Sequence, residues 1–429
     1  MAREMKDSGI EWIGEIPKAW KIAPLKRFAK IQTGNTPSKA DEALFYADEG
    51  ILWIKPNNLG TGYPITYTTD YLTLEGRNAA RVMPPNTVYV CCIGSLGKVG
   101  YSLVEGCCNQ QINALIYNDR MYWKYGYYLT LAQESRYLLY GNGNVLQIIN
   151  ATNQGNIECV VPSLREQKDI SNFLDEMCVE IDSVLEKTRS SIEEYKKLKQ
   201  AVITQAVTKG IRGNREMKDS QSTWFGQILS DWEMRKIKYI FKIQKDIAGK
   251  EGHTVLSITQ KGIKPKDLSK NEGQLAENYS NYQLVHIGDF AMNHMDLLTG
   301  WVDVSKYEGV TSPDYRVFGL IDKDKYCSQY YLYLMQMCYT NRIFYGLGQG
   351  VSGLGRWRLQ ADKFLNFSIT VPSYEEQQEI ANYLDKKCLA IDELIAKKEQ
   401  YLSEIENYKK SLIYEYVTGK KEVPQEKQA

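Results

Sequence analysis

Residues 5–32 of this chain read MKDSGIEWIGEIPKAWKIAPLKRFAKIQ, and residues 217–244 read MKDSQSTWFGQILSDWEMRKIKYIFKIQ. A second pair follows, because residues 161–182 read VPSLREQKDISNFLDEMCVEID and residues 371–392 read VPSYEEQQEIANYLDKKCLAID. The first pair begins 212 residues apart and the second pair 210, so the stretches between them are about equally long. Those stretches, 33–160 and 245–370, share little obvious sequence. The pattern predicts two tandem domains, since the period is far longer than the ~20–50 residues of a solenoid repeat.

The composition is that of a globular protein whose charge is balanced overall and uneven locally. The chain has 429 residues, 43% of them hydrophobic and 24% charged, which predicts two to three domains with sizeable cores. A formal net charge of +1 argues against a purely electrostatic, histone-like binder. Six basic residues and no acidic residue lie between Lys18 and Lys39, and the stretch 235–270 is also rich in lysine. A basic surface confined to one face and ordinary solvated lysines are equal alternatives at this point.

The lack of a visible secretory or membrane-spanning segment, together with the cysteine usage, predicts a cytoplasmic protein. The N-terminal segment has no apolar secretory core, and no apolar run approaches the ~18 residues that a membrane span needs. Nine cysteines, an odd number scattered along the chain, are typical of reduced thiols.

Two long amphipathic helices are predicted at 164–209 and 374–418. Their apolar residues recur at spacings of three and four, which is a heptad pattern. Ser163 and Ser373 precede them, each followed three residues later by Glu166 or Glu376, which predicts a capping box at both N-termini. About 44 residues at 1.5 Å each give a rod of roughly 60 Å. The predicted contact positions are Leu174, Ile181, Leu185, Ile192, Leu384, Ile391, Ile395 and Leu402.

Each helix alone would expose an apolar stripe and therefore needs a partner. Two tandem copies are most simply related by a pseudo-twofold axis, which makes a helix pair across it antiparallel. The alternative is that each helix packs separately on its own domain. The predicted fold class is α+β, with two globular mixed α/β domains joined by two long helices that form an antiparallel coiled coil in an internal pseudo-twofold repeat. The predicted boundaries are 1–162, 163–212, 213–372 and 373–429.

Both inserts show the same order of mixed α and β elements. Insert one has strand-like runs at Ile51–Ile54, Thr87–Ile93 and Gln111–Tyr117. A tyrosine-rich helical stretch and a glycine-containing loop then close each insert, at 122–144 in the first and 326–355 in the second. The shared order predicts one topology with different loops. The tyrosines are expected in the core rather than in base stacking.

Four segments together resemble the specificity (S) subunit of type I restriction–modification systems. They are the MKDSGxEWIGEIPxxW opening, the TGNTPS run at 33–38, GSLGKVG at 94–100 with NQQIN at 109–113, and VPSxxEQ before each long helix. The likeness covers essentially the whole chain. It implies two target recognition domains, similar to the DNA-reading domain of adenine-N6 methyltransferases, that each read half of a bipartite sequence. The second insert departs from the pattern, with Lys245-Asp246 where Thr33-Gly34 would fall.

The resemblance also implies the partners of the chain. These are double-stranded DNA, two methyltransferase subunits docked on the coiled coil that sets the half-site spacing, and restriction/translocase subunits. S-adenosylmethionine, ATP and Mg²⁺ are expected on those partner subunits, and no cofactor or metal is expected on this chain. The expected location is the prokaryotic cytoplasm, on DNA and not on a membrane.

Motifs for catalysis are missing from the sequence. A DNA methyltransferase needs a glycine-rich cofactor loop and an Asn/Asp-Pro-Pro-aromatic motif, and the only Pro-Pro, Pro84-Pro85, does not fit. The GxGxxG at 348–353 follows a helical stretch rather than a strand, which disfavours a dinucleotide site. The vicinal cysteines at 91–92 and 107–108 point to opposite strand faces, so buried thiols are favoured over zinc. The three histidines have no catalytic spacing, and a structural role is favoured for His294.

The leading interpretation is therefore a non-catalytic, sequence-specific DNA-recognition subunit. A coiled-coil scaffold for other proteins is the alternative, and a standalone methyltransferase is a weaker one. Asn and Gln pair with adenine and Arg with guanine in the major groove, whereas lysines meet phosphates. The candidate DNA contacts are Thr36, Ser38, Lys55, Asn57, Lys98, Gln110, Gln111, Lys261, Lys264, Asn293, Arg316, Gln349, Arg356 and Arg358. Gln111 and Arg356 are predicted to reach base edges, and Lys98 and Lys264 to reach phosphates.

Overall fold

The computed structural model of the chain describes residues 3–38, 40, 42–140, 148–267, 278–350 and 357–424. These residues form two compact units. Unit 1 comprises Met1–Thr188 with Gln400–Ala429, and unit 2 comprises Arg189–Glu399. The division falls inside both long helices, so each unit contains a segment of each helix.

In the described residues, unit 1 has thirteen short strands and five short α-helices before the first long helix. The strands are β1 (Met5–Asp7), β2 (Glu15–Pro17), β3 (Lys21–Pro24), β4 (Ala29–Thr33), β5 (Tyr46–Ala47), β6 (Ile51–Ile54), β7 (Tyr71–Leu72), β8 (Val82–Met83), β9 (Thr87–Cys91), β10 (Val99–Ser102), β11 (Gly106–Cys108), β12 (Ile112–Tyr117) and β13 (Glu158–Val161). The helices are α1 (Glu42–Phe45), α2 (Leu74–Ala79), α3 (Trp123–Ala132), α4 (Tyr137–Tyr140) and α5 (Ala151–Gly155), followed by the long helix α6 (Leu164–Lys209).

Two sheets make the framework of unit 1. An antiparallel sheet has the order β10-β9-β12-β4, with Leu115 opposite both Val88 and Ile31. A mixed sheet has the order β5-β7-β6-β11-β8, in which only β6 and β11 run parallel. The inner strand β9 is buried along its whole length, because α3 covers one face of the antiparallel sheet and the mixed sheet covers the other.

Unit 2 repeats this framework with different additions. Its strands are β14 (Met217–Asp219), β15 (Gln227–Leu229), β16 (Glu233–Lys236), β17 (Phe241–Gln244), β18 (Leu256–Thr259), β19 (Gly262–Pro265), β20 (Gln283–Val285), β21 (Phe290–Met292), β22 (Val302–Val304), β23 (Gly309–Thr311), β24 (Arg316–Leu320), β25 (Gln349–Gly350), β26 (Trp357–Arg358) and β27 (Ser368–Val371). Its helices are α7 (Ser328–Thr340), α8 (Ile343–Leu347) and α9 (Ala361–Asn366), followed by the long helix α10 (Tyr374–Val417).

The four-stranded sheet of unit 2 has the order β17-β24-β21-β22, which matches β4-β12-β9-β10 strand for strand. The small pairs also recur, since β1-β2 and β3-β13 correspond to β14-β15 and β16-β27. The five-stranded mixed sheet does not recur, and the pairs β18-β19 and β20-β23 stand in its place among the described strands. The prediction of one topology with different loops is therefore confirmed for the central sheet.

The long helices pack against each other within each unit, in antiparallel directions. In unit 1 the rings of Phe173 and Tyr416 lie 4.5 Å apart, and Asp182 Oδ1 pairs with Lys409 Nζ at 2.6 Å. The residue number therefore rises along α6 as it falls along α10. In unit 2 the carboxylate of Asp392 pairs with Lys199 Nζ at 2.7 Å, and Lys398 Nζ lies 5.7 Å from the centre of the Tyr195 ring, so the helices are antiparallel there too. The alternative that each helix packs only on its own domain is wrong.

The predicted helix boundaries are close to those observed, and one predicted cap is only half formed. Ser163 and Glu166 make both bonds of a capping box, at 3.2 and 3.3 Å. In the second copy the backbone N–H of Glu376 donates to Ser373 at 3.2 Å. The Glu376 carboxylate also accepts a hydrogen bond from the indole of Trp232 at 3.0 Å and pairs with the Arg215 guanidinium. Glu166 makes the equivalent contacts with Trp20 and Arg3 in the first copy.

Candidate nucleic-acid interface

Three polar loops of unit 1 meet at one end of its sheets. They are residues 33–38 after β4, residues 55–60 after β6, and residues 109–111 between β11 and β12. Backbone hydrogen bonds join them, from Asn35 N to Cys108 O at 3.1 Å and from Asn109 N to Ile54 O at 3.2 Å. The loops are therefore one continuous surface held by the strands beneath them.

Gly34 makes this close approach possible. A Cβ atom at position 34 would lie 2.1 Å from the carbonyl oxygen of Cys108 and 2.4 Å from that of Asn109. Only glycine lets the two backbones approach so closely, because any side chain would overlap a carbonyl that the strands fix. Gly34 of the TGNTPS run is thus a structural requirement of the loop surface as well as part of a motif.

Thr36, Ser38 and Gln110 are exposed on this surface, and the Thr36 hydroxyl donates a hydrogen bond to Gln110 Oε1. Gln111 is half-buried beside them. Its backbone N–H donates to Asn109 Oδ1 at 3.1 Å, and its side-chain oxygen accepts from Asn109 Nδ2 at 2.9 Å. This reciprocal pair fixes the Gln111 side chain, which suits a group that must meet a base edge in one orientation.

The lysine candidates of unit 1 are already engaged with the protein. Lys98 Nζ donates to Pro56 O at 3.2 Å, and its aliphatic chain lies over Gly60. Lys55 forms an ion pair with Asp70. Asn57 is exposed at the tip of the same loop. Lys55 and Lys98 therefore shape the 55–60 loop and present only part of their charge to a ligand.

Arg81 belongs to this surface although sequence reasoning did not select it. Its backbone N–H donates to Asn35 Oδ1 at 2.7 Å, and its Nη1 donates to Thr33 O at 2.6 Å. The side chain is exposed and crosses the TGNTPS loop. No motif surrounds Arg81, and 48 residues separate it from Thr33, so only the fold reveals the contact.

In unit 2 the lysine candidates lie on the β18-β19 hairpin. Lys261 is in the turn and Lys264 is in β19, and both are exposed. The hairpin packs beside β22, where Asp303 Oδ2 accepts a hydrogen bond from Ile263 N at 3.0 Å. Both side chains are accessible to solvent.

The polar candidates near the four-stranded sheet of unit 2 are less accessible. Arg316 is only 5% exposed, with Nη2 donating to Leu359 O at 2.9 Å and the guanidinium 4.8 Å from the Phe364 ring. Burial lowers the pKa of Arg316 to about 10, so it keeps its charge at neutral pH. A buried guanidinium cannot reach a duplex unless its surroundings move, which favours a structural role. Asn293 caps a turn by accepting hydrogen bonds from the backbone at 3.2 and 3.3 Å.

His294 and Arg358 lie beside Arg316. Burial, together with the positive charges of Arg316 and Arg358, lowers the pKa of His294 to about 3. The imidazole is therefore neutral at physiological pH, which agrees with the structural role expected for it. Arg358 is opposite Gln349 in the β25-β26 pair, and Gln349 is exposed. Arg356, the predicted base-edge contact, lies outside the described residues.

The positions predicted to lie between the two long helices differ in how deeply they are buried. Leu174, Ile181, Leu185, Ile192, Leu384 and Ile391 are buried, whereas Ile395 and Leu402 are half-buried. The nine cysteines are free thiols, and eight of them are buried, including the vicinal pairs at 91–92 and 107–108. Within the described parts of the chain, no cluster of three or more His, Cys, Asp or Glu side chains is arranged to hold a metal ion. Nor does any helix in those parts have the length and apolarity to cross a membrane.

Comparison with known proteins identifies the family. Residues 17–194 and 229–407 each match the family described as the type I restriction modification DNA specificity domain. The type I restriction enzyme HindI specificity subunit of Haemophilus influenzae is 32% identical over 43% of this chain and 39% of that protein. The MjaVIII specificity subunit of Methanocaldococcus jannaschii is 25% identical over 94% of this chain and 93% of that protein.

The fold is also found among solved structures. A chain from a structure of the type I R-M system, described in terms of its complex assembly and conformational transition, superposes with a TM-score of 0.69. The superposition covers 94% of this chain and 99% of that chain at 11% sequence identity. The chain therefore belongs to the specificity-subunit family of type I restriction–modification systems, whose members are the non-catalytic DNA-recognition components of those systems.

Proposed function

We propose that units 1 and 2 each read one half of a bipartite DNA target. The observation that supports this most directly is the contrast between framework and loops. The same four-stranded sheet recurs in the same strand order, while the elements beside it differ. A shared support with two different reading surfaces suits a protein that performs one task on two different sequences.

The chemistry of the two surfaces suits direct reading of a duplex. Unit 1 presents the hydroxyl and carboxamide groups of Thr36, Gln110 and Gln111 on a fixed loop surface. Such groups distinguish base pairs in the major groove. Unit 2 presents Lys261 and Lys264 on a hairpin, where they are suited to phosphate contacts that position the unit without specifying a sequence.

The long helices form one antiparallel coiled coil with a pseudo-twofold axis in this proposal. Asp182 and Asp392 are separated by 210 residues, and so are Lys199 and Lys409. The bridge from Asp182 to Lys409 in unit 1 and that from Asp392 to Lys199 in unit 2 are thus the same pair of positions, at 2.6 and 2.7 Å. The recognition domains are then residues 1–162 and 213–372, with the coiled coil made by 163–212 and 373–429.

Exposed apolar residues on the helices support docking of two methyltransferase subunits. Val179 is 58% exposed in unit 1, and Leu389, its counterpart 210 residues later, is 61% exposed in unit 2. Val184 and Leu394 are a second such pair, at 39% and 41%. Apolar side chains that are left exposed at equivalent positions suit two copies of one partner. In this proposal, S-adenosylmethionine, ATP and Mg²⁺ are bound by the methyltransferase and restriction/translocase partners. This chain has no catalytic role of its own.

A selection experiment tests the proposal. The chain is purified with its methyltransferase subunits and incubated with random duplexes, and the bound fraction is sequenced. The expected result is a split consensus of two short half-sites with a gap of fixed length. No enrichment would contradict the proposal and would leave a protein-interaction scaffold as the better account.

A further inference from the structure

One helix of each recognition unit is fastened to both long helices. In unit 1 it is α3, and in unit 2 it is α7; we call these the head helices. The fastening residues are spaced by three, as Tyr122, Tyr125 and Tyr128 at α3 and as Cys327, Tyr330 and Tyr333 at α7. Corresponding residues are 205 positions apart. Positions three apart lie on the same face of a helix, so each head helix presents one face to the long helices.

A buried glutamine near the start of each long helix makes the first fastening. The Gln167 side-chain oxygen accepts a hydrogen bond from Tyr122 N at 2.7 Å. Its Nε2 donates to Pro162 O at 3.0 Å and to Arg120 O at 3.4 Å. The same three bonds recur at Gln377, with Cys327 N, Pro372 O and Lys325 O at 2.8, 3.0 and 3.3 Å. Both glutamines are fully buried, so the amide links the start of the head helix to the long helix in a single orientation.

Two tyrosine hydroxyls make the remaining fastenings. Tyr128 donates to Asp175 Oδ1 at 2.6 Å, and Tyr333 donates to Asp385 Oδ1 at 2.7 Å. The third fastening is made to the end of the other long helix. Tyr125 donates to Val417 O at 2.9 Å, and Tyr330 reaches Val207 O at 3.4 Å.

Three such points fix a direction as well as a position. Residues 167 and 175 are eight positions apart on α6, which is about 12 Å along its axis. Two points define a line along one long helix, and the contact with the other long helix prevents rotation about that line. The glutamine–backbone and tyrosine–aspartate bonds agree between the units within 0.1 Å, although the inserts share little sequence. Packing alone would not need to preserve these particular bonds.

We infer that Gln167, Tyr128 and Asp175, with Gln377, Tyr333 and Asp385, are positioning residues that set the permitted gap between the half-sites. The inference rests on the proposed function. A change of one base pair in the gap moves a half-site by about 3.4 Å and rotates it about 35° around the duplex. A recognition domain whose head helix is bonded to the long helices at three points cannot follow that rotation. A domain that has lost some of these bonds can. The fastenings therefore reject targets with the wrong gap and do not read bases.

The test removes single hydroxyl groups. Tyr128→Phe, Tyr333→Phe and the double variant are purified with the methyltransferase subunits. Their affinity is measured for duplexes that carry the selected half-sites at the preferred gap and at one base pair more or less. Tyr89→Phe is the matched control, because that buried hydroxyl bonds to Ser102 inside the recognition unit, at 3.4 Å. Asp175→Ala and Asp385→Ala break the same bonds from the long helices and also remove the contacts of Lys124 with Asp175 and of Gln329 with Asp385, so their effect should be at least as large.

The expected result is a preference for the correct gap that falls about three- to tenfold in the double variant, which is the effect of losing two partly buried hydrogen bonds. The base preference within each half-site stays the same, and Tyr89→Phe keeps the gap preference of the wild type. An unchanged preference in the double variant, or equal weakening at all three gaps, would overturn the inference alone. A wild-type complex with no bipartite target would contradict the proposed function and the inference together.

Discussion

At the scale of single residues, the proposed reading of DNA depends on side chains that the fold holds in one orientation. Gln111 is fixed by its reciprocal bonds with Asn109, and Thr36 is fixed by Gln110. Arg316 shows the opposite case, because its charge suggested a DNA contact while its position is interior. Residue type made both Gln111 and Arg316 candidates for polar contacts with DNA. Burial depends on the packing of distant segments, so the local sequence did not predict that Arg316 is interior.

Gln111→Ala and Lys98→Ala should affect DNA binding in different ways. Gln111→Ala should relax the target at one position of one half-site, since a lost bidentate contact removes about 1–3 kcal/mol of discrimination. Lys98→Ala should weaken binding to all duplexes and lower the salt dependence by at most about one unit of slope, because Lys98 Nζ also bonds to Pro56 O. Selection from random duplexes and salt titrations measure the two effects. If Gln111→Ala instead lowers the melting temperature and weakens all sequences equally, its role is structural.

His294 should make the stability of unit 2 depend on pH. Its pKa is about 3 in the folded protein and about 6.5 when unfolded, so below pH 6.5 the unfolded chain takes up a proton that the folded chain does not. The contribution of His294 to the free energy of unfolding is therefore fully present above pH 6.5. It falls by about 1.4 kcal/mol per pH unit as the pH drops towards 3.

Urea unfolding of the wild type and His294→Gln at pH 7, 6 and 5 measures this contribution. Between pH 7 and pH 5 the free energy of unfolding should fall less in the variant than in the wild type. The difference corresponds to the one proton that His294 takes up when the wild type unfolds. Equal pH dependence in both proteins would show that folding does not lower the pKa of His294.

At the scale of elements, the regular patterns were the most predictable part of the chain. The heptad spacing and the serines before it predicted both long helices to within a few residues. The run Ile51–Ile54 is β6 as predicted. The loops were less predictable, since Arg81 joins the TGNTPS surface through contacts 46 and 48 residues away in sequence. Of the second capping box only the bond from Glu376 N to Ser373 Oγ formed, a difference that the local sequence did not reveal because Ser and Glu stand at the same spacing in both copies.

The helices should act as the ruler between half-sites. The test variant has four residues inserted after Gln200 in α6 and four inserted after Ala390 in the facing part of α10. Because both helices are lengthened at the same level, Lys199 still pairs with Asp392. The coiled coil then lengthens by about 6 Å. The gap in the target should grow by one or two base pairs, at about 3.4 Å each, while both half-sites stay the same.

The matched control for this insertion carries substitutions at exposed positions of the same two helix segments and no added residues. It should keep the gap of the wild type. Selection from random duplexes measures the gap in both proteins. A gap that does not change on insertion would show that the helices are not the ruler.

At the scale of the whole molecule, the chain is one framework used twice. The duplicated sequence predicted two domains, and the structure shows two units with the same central sheet. The bases that each unit reads were not predictable, because they depend on loop geometry and on the shape of the DNA. The antiparallel contacts of the long helices in each unit agree with the pairing expected from tandem copies.

Exchange of one insert tests the central claim most directly. Residues 33–160 are replaced by the equivalent insert of a relative with a different target, and the chimaera is purified with its methyltransferase subunits. The target bound by the chimaera is then determined by selection from random duplexes, beside the unchanged chain. One half of the target should become that of the donor, while the other half and the gap remain those of this chain. A chimaera in which both halves change together would contradict independent reading by the two units.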